Sequence, residues 1–174
     1  MSPGTDGPRV RVLPAAGLLL LLAACAAAPP APPPPDVPAM LAAIKAAGQR
    51  ESAGFEVTPL RDAGVSSLLQ RAQRARGAGQ YAQAAGLIDR ALAQDPKAPD
   101  LLQERAELAI QLHHYARAEQ LARASWKLGP RVGSLCARNW QTVMEMRYVA
   151  RDAAGIAAAK ARRDACRVKP VVRM

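Results

Sequence analysis

Thiols and imidazoles are the reactive groups of this chain, and they are few: three cysteines and two histidines in 174 residues. Cys25 stands directly after Leu22-Ala23-Ala24 at the end of an apolar run, a position suited to lipid attachment. Cys136 and Cys166 lie equidistant from residue 151, so an antiparallel helical hairpin turning there brings the two thiols side by side for oxidation to a disulfide. His113 and His114 are adjacent, but two imidazoles are too few ligands for a metal and the chain has no third. Nucleophile elbows, phosphate loops, a C-x-x-C pair and carboxylates paired beside a histidine are all missing from the sequence. No catalytic residue, metal site or cofactor is therefore assigned. The chemistry on offer is attachment and cross-linking, which need elements to place the cysteines.

The elements are helices, and they repeat. Tyr81, Ala84, Leu87 and Pro96 recur 34 residues later as Tyr115, Ala118, Leu121 and Pro130. Upstream, Leu68, Arg71, Ala72 and Ala75 recur as Leu102, Arg105, Ala106 and Ala109, and Leu92 answers to Trp126. This pattern resembles the tetratricopeptide repeat, a 34-residue pair of helices with small residues where the axes cross and a closing proline. Ala72, Ala84, Ala91, Ala106 and Ala118 are small enough for axes to approach to roughly 8–10 Å. Pro96 and Pro130 end each second helix because proline lacks the amide donor.

Helices are predicted at about 65–77, 81–94, 99–112, 115–128, 134–147 and 151–167. The third pair departs from the period: position 149 is Val where Tyr would stand, and Trp140 replaces the small residue expected from Ala106. It is either degenerate or shifted in register. The expected fold is all-α, about three tetratricopeptide-repeat hairpins preceded by a disordered tether, since alanine is abundant and aromatics are only 3%.

Residues 1–24 read as a lipoprotein signal peptide: Arg9 and Arg11, an apolar run from Val12 to Leu22, and the lipobox ending at Cys25. The run is about half of the ~20 residues that span a bilayer. The motif implies that Cys25 becomes the acylated first residue of the mature chain, stably anchored by two or three acyl chains. Ala26 stands where an inner-membrane retention aspartate would be, which directs the protein to the outer membrane, facing the periplasm. In that compartment the net charge of +10 does not indicate nucleic acid.

Residues 25–64 form the lipidated cysteine and a flexible linker. Seven prolines in 26–38 favour polyproline II, a short helix is possible at Ala39–Ala47, and Phe55 and Val57 sit in a short extended stretch. The linker is either a spacer or a reach into the cell-wall mesh, at most about 120 Å long when drawn out. The repeat domain covers 65–167 and a tail 168–174. From Arg131 onward, ten lysines and arginines face three carboxylates, an excess that favours acidic partners or lipid phosphates.

What the repeat resemblance implies for function is a concave groove formed by the first helix of each pair. By repeat position it exposes Leu69, Gln73 and Arg76, then Gln103, Glu107, Ile110 and Gln111, and from the third pair Ala137, Gln141 and Met144. The carboxylate-clamp subtype needs lysine and asparagine where this chain has Leu69 and Gln73, so it is not implied. Lipobox, proline tether and small repeat domain together resemble the LpoP-type outer-membrane lipoproteins. That resemblance implies a non-enzymatic activator reaching an inner-membrane peptidoglycan synthase, a class A penicillin-binding protein. Two other protein-binding roles remain open: a pilus or secretin assembly lipoprotein (pilotin), and a periplasmic protease adaptor.

Overall fold

Apolar residues recurring at three- and four-residue intervals leave each helix one stripe to bury, and the stripes are satisfied pairwise. In the computed structural model, which describes residues 35–51 and 60–168 together with positions 1, 4 and 7, seven helices and no strand occur among the described residues. They are α1 (Val37–Glu51), α2 (Ala63–Gly77), α3 (Tyr81–Gln94), α4 (Pro99–Gln111), α5 (Tyr115–Leu128), α6 (Ser134–Val149) and α7 (Ala153–Asp164). All belong to one unit beginning at Pro35. The apolar run and lipobox of the expected signal peptide, Cys25, the prolines at 29–34, the Phe55–Val57 stretch and the tail after Val168 lie outside the described residues.

The hairpins are α2/α3, α4/α5 and α6/α7, each stacked on the next through α3 with α4 and α5 with α6. All three turn the same way. Gln80, His114 and Asp152 each donate their backbone N–H to a carbonyl five residues back, on Ala75, Ala109 and Arg147. The residue before each has positive φ: Gly79 at 73°, His113 at 59° and Arg151 at 56°. This is the left-handed helix stop that returns the chain antiparallel. Glycine takes it without strain in the first turn, whereas the imidazole of His113 is held by the Tyr115 hydroxyl at 2.7 Å.

The spacing of these stops resolves the third pair: 34 residues separate Gly79 from His113, and 38 separate His113 from Arg151. α6 is thus about one turn longer than its period allows. The aromatic that opens α3 and α5 has no counterpart at Ala153, the first residue of α7. Lengthening and degeneracy occur together.

The alanines placed at helix crossings are buried as expected, with Ala84, Ala91, Ala106 and Ala118 fully inaccessible and Ala72 nearly so. α4 has two apolar faces. Leu101 and Leu108 join the core of α2 and α3, while Ala106, Ala109 and Ile110 join the core of α5, α6 and α7. Ala118→Leu, which would force three extra carbons between helices already in contact, is expected to cost about 1–3 kcal/mol. Urea unfolding checks this; a midpoint equal to wild type would mean the crossing has slack.

Within the expected linker, the helix allowed at Ala39–Ala47 is present and longer, Val37–Glu51, and it is not free tether because it packs on α6 and α4. Asp36 caps it by accepting the Ala39 N–H at 3.0 Å. Met40, Ile44 and Ala47, spaced i, i+4, i+7, form its buried stripe together with Gly48. The sequence carried this helix signal, but the apolar stripe did not say which surface would cover it.

Candidate protein-binding surface

Arg76 of α2, Glu107 of α4 and Arg138 of α6 meet on one face of the array, and α1 lies along the α4 and α6 part of that face. Met40, Ile44 and Ala47 share one apolar cluster with Ile110 of α4 and Ala137, Trp140, Val143 and Met144 of α6. Gly48 approaches α6 so closely that a Cβ there would meet the Arg138 side chain at 2.7 Å and the Ser134 hydroxyl at 3.0 Å. The groove is filled by the chain's own helix. Burying Met40 and Ile44 contributes about 3–6 kcal/mol before the cost of ordering α1.

This changes the expected binding residues. Leu69, Gln73 and Arg76 on α2 remain half-buried or exposed, and Gln111 is half-buried. By contrast Gln103, Glu107, Ile110, Ala137, Gln141 and Met144 are buried, so they are not a free peptide-binding face in this structure. Position along the repeat does not show that another element covers these side chains.

The polar ones are tied into the array. The Glu107 carboxylate accepts from Arg76 of α2 at 3.2 Å, from Arg138 of α6 at 2.5 Å and from the Gln103 amide at 3.1 Å. Gln103 also donates to Thr142 Oγ1 at 2.8 Å. One buried anion thus links three helices, and two guanidiniums with an amide offset its desolvation. Gln141 donates to Glu145 at 2.6 Å and accepts from Arg163 of α7 at 2.7 Å. A cavity of about 520 Å³ remains between α1 and the rest, lined by Leu41, Lys45, Gln49, Arg76, Glu107 and Arg138 among others.

Glu104 stands beside this network, and its carboxyl is held above the usual range, first by burial and then by the charge of Glu107, against the pull of Arg138 and Arg76. A carboxyl whose folded pKa is raised binds more protons folded than unfolded, so it destabilises the fold once pH exceeds the ordinary carboxylate range. Glu104→Gln is therefore expected to raise the melting temperature at pH 7, with the gain shrinking as pH falls toward 4. A gain that grows on acidification would contradict this sign.

The cysteine pair is joined. Cys136 in the first turn of α6 and Cys166 just past α7 form a disulfide with 5.6 Å between Cα atoms, both nearly inaccessible. Beside it is a cluster that sequence reading missed. Trp126 and Trp140 meet edge to face with centroids 5.2 Å apart. Arg131 sits 4.1 Å over Trp126, Arg123 sits 5.5 Å over Trp140, and Arg162 is about 6 Å from both rings. Trp126 keeps the period by answering to Leu92, and Trp140 breaks it, which was the available signal. No group of acidic, histidine and cysteine side chains suited to a metal occurs among the described residues.

Stacked antiparallel helix pairs with this turn and period are also what comparison with known proteins returns. The tetratricopeptide-repeat family model matches residues 75–138. Among solved structures, the globular C-terminal domain of P. aeruginosa LpoP matches at 30% identity and a TM-score of 0.55, over 61% of this chain and 98% of that domain. The chain belongs to the tetratricopeptide-repeat family. The match spans nearly the whole of that LpoP domain, and the remaining length of this chain lies outside the shared region. A search of curated proteins returned no significant match. A tetratricopeptide-repeat domain is a protein-interaction domain, and the surfaces described above are those it presents.

Proposed function

We propose that this chain is an outer-membrane lipoprotein, anchored through Cys25, whose repeat domain binds and activates a class A penicillin-binding protein without catalysing a reaction itself. The likeness of the repeat domain to LpoP carries this reading. The lipobox and the seven prolines after it agree with it, since an activator anchored in one membrane must reach a synthase in the other. No helix among the described residues is long and apolar enough to cross a membrane.

A soluble chain beginning at Pro35, so that α1 is retained, is expected to capture the periplasmic part of a class A penicillin-binding protein and to increase its glycan polymerisation. Capture of a secretin or of a periplasmic protease instead would favour a pilotin or a protease adaptor. Shortening the proline tether in the full-length chain should abolish function while leaving the domain folded. Indifference to tether length would refute a role across the periplasm.

A further inference from the structure

With the α4 and α6 part of the groove filled by α1, the surface that remains rich in contact chemistry is at the carboxyl end of the array. Three of the exposed large apolar side chains are here, Leu128, Val132 and Val168, each about half accessible. The Gly133 N–H donates to the Cys166 carbonyl at 2.7 Å, and the adjacent disulfide staples the α5–α6 turn to the end of α7. A Cβ on Gly133 would lie 3.8 Å from Val168, so Val132 and Val168 border one patch. Arg131 caps α5 through the Trp126 and Lys127 carbonyls.

The charge at this edge is one-sided. Arg123 is paired with Glu119, but among the described residues no carboxylate pairs with Lys127, Arg131 or Arg162. Arg131 and Arg162 lie against the Trp126 ring, which orders their planar groups and loses less freedom when a carboxylate binds. Tryptophan and arginine beside exposed aliphatic groups is the composition of a protein interface rather than of a merely solvated face.

We propose that this edge, centred on Lys127, Arg131, Val132 and Arg162, is a docking surface for an acidic segment of a partner protein. It rests on the reading that the chain binds a protein, but not on which protein. A mixed patch suits a protein better than a phosphate polymer, because carboxylates engage the guanidiniums while an apolar side chain covers Val132 and Val168. Attraction of this kind speeds encounter and weakens with salt.

The test uses the full-length chain in its native envelope, with a photo-cross-linking amino acid at Val132 and, separately, at Gln73 on the concave side. From Val132 an adduct to a protein is expected, mapping to a stretch rich in aspartate and glutamate. Its yield should fall at least fivefold in Lys127→Glu/Arg162→Glu, and measurably in Lys127→Glu alone, which leaves the tryptophan stack untouched. Helical circular dichroism should be unchanged in both. Adducts only to lipid, no adduct at Val132, a target stretch without acidic residues, or a yield insensitive to both variants would overturn the proposal. The identity of the protein tests the other reading separately. A penicillin-binding protein captured only from Gln73 upholds the proposed function and sinks this surface. A different protein captured at Val132 with the stated charge dependence does the reverse.

Discussion

Ile44→Asp is expected to release α1 from the concave groove. Ile44 is fully inaccessible at the centre of the α1 stripe, so a carboxylate there must either be buried without a partner or leave with its helix. Leaving costs less, which limits the loss to what docking contributes, about 3–5 kcal/mol. For a domain of this size that corresponds to roughly a 10 °C fall in melting temperature. The effect should be local. Hydrogen exchange of α1 amides would lose protection while α2 to α5 keep theirs, and a thiol placed by Met144→Cys would become reactive. An unchanged melting temperature would mean that α1 is not held by this stripe, and uniform loss of protection would mean that it is required for the whole array to fold.

Loss of the disulfide should be comparable in size. The Cys136–Cys166 bond spans 30 residues of sequence, for which the chain-entropy relation gives about 3–4 kcal/mol, lost on reduction or in Cys136→Ser/Cys166→Ser. The third hairpin has the weakest repeat pattern, lacking the tyrosine that opens α3 and α5, so it depends most on a covalent link. Melting with and without reductant measures this. Expected are a lower transition and earlier exchange in α7 than in α5; coincident curves would show that packing alone holds the hairpin. Because the bond also fixes Gly133 and the Arg131 turn, reduction should weaken whatever docks at that edge.

The ordinary paired helices were legible in the sequence because their determinants are local. Ala84 and Ala118, Tyr81 and Tyr115, and Pro96 and Pro130 each act on the helix that carries them or on its immediate neighbour, so one period specifies one hairpin. The cysteine pairing was legible for the same reason: a hairpin turning near residue 151 fixes which positions face each other. The four extra residues of the third pair were not, since a helix lengthened by one turn keeps its apolar face and leaves only an interrupted period as a trace.

The candidate binding face was misjudged in a specific way. Position in the repeat assigned Gln103, Glu107, Ile110, Gln141 and Met144 to an exposed groove, and in the structure they are buried. That they are covered follows from α1, and Met40, Ile44 and Ala47 announce only that something must bury them. Likewise the sequence shows surplus lysine and arginine after residue 131, whereas only the fold sets Arg131 and Arg162 about one tryptophan from opposite ends of the hairpin.

The amino-acid sequence by itself determined the helix pairs and the thiols that meet, because these depend on contacts within one repeat or between adjacent ones. Tertiary structure alone decided what fills the groove and where exposed charge gathers. Both depend on segments far apart in the chain, and an apolar stripe or a lone arginine has a chemistry but no address until the fold supplies its neighbours.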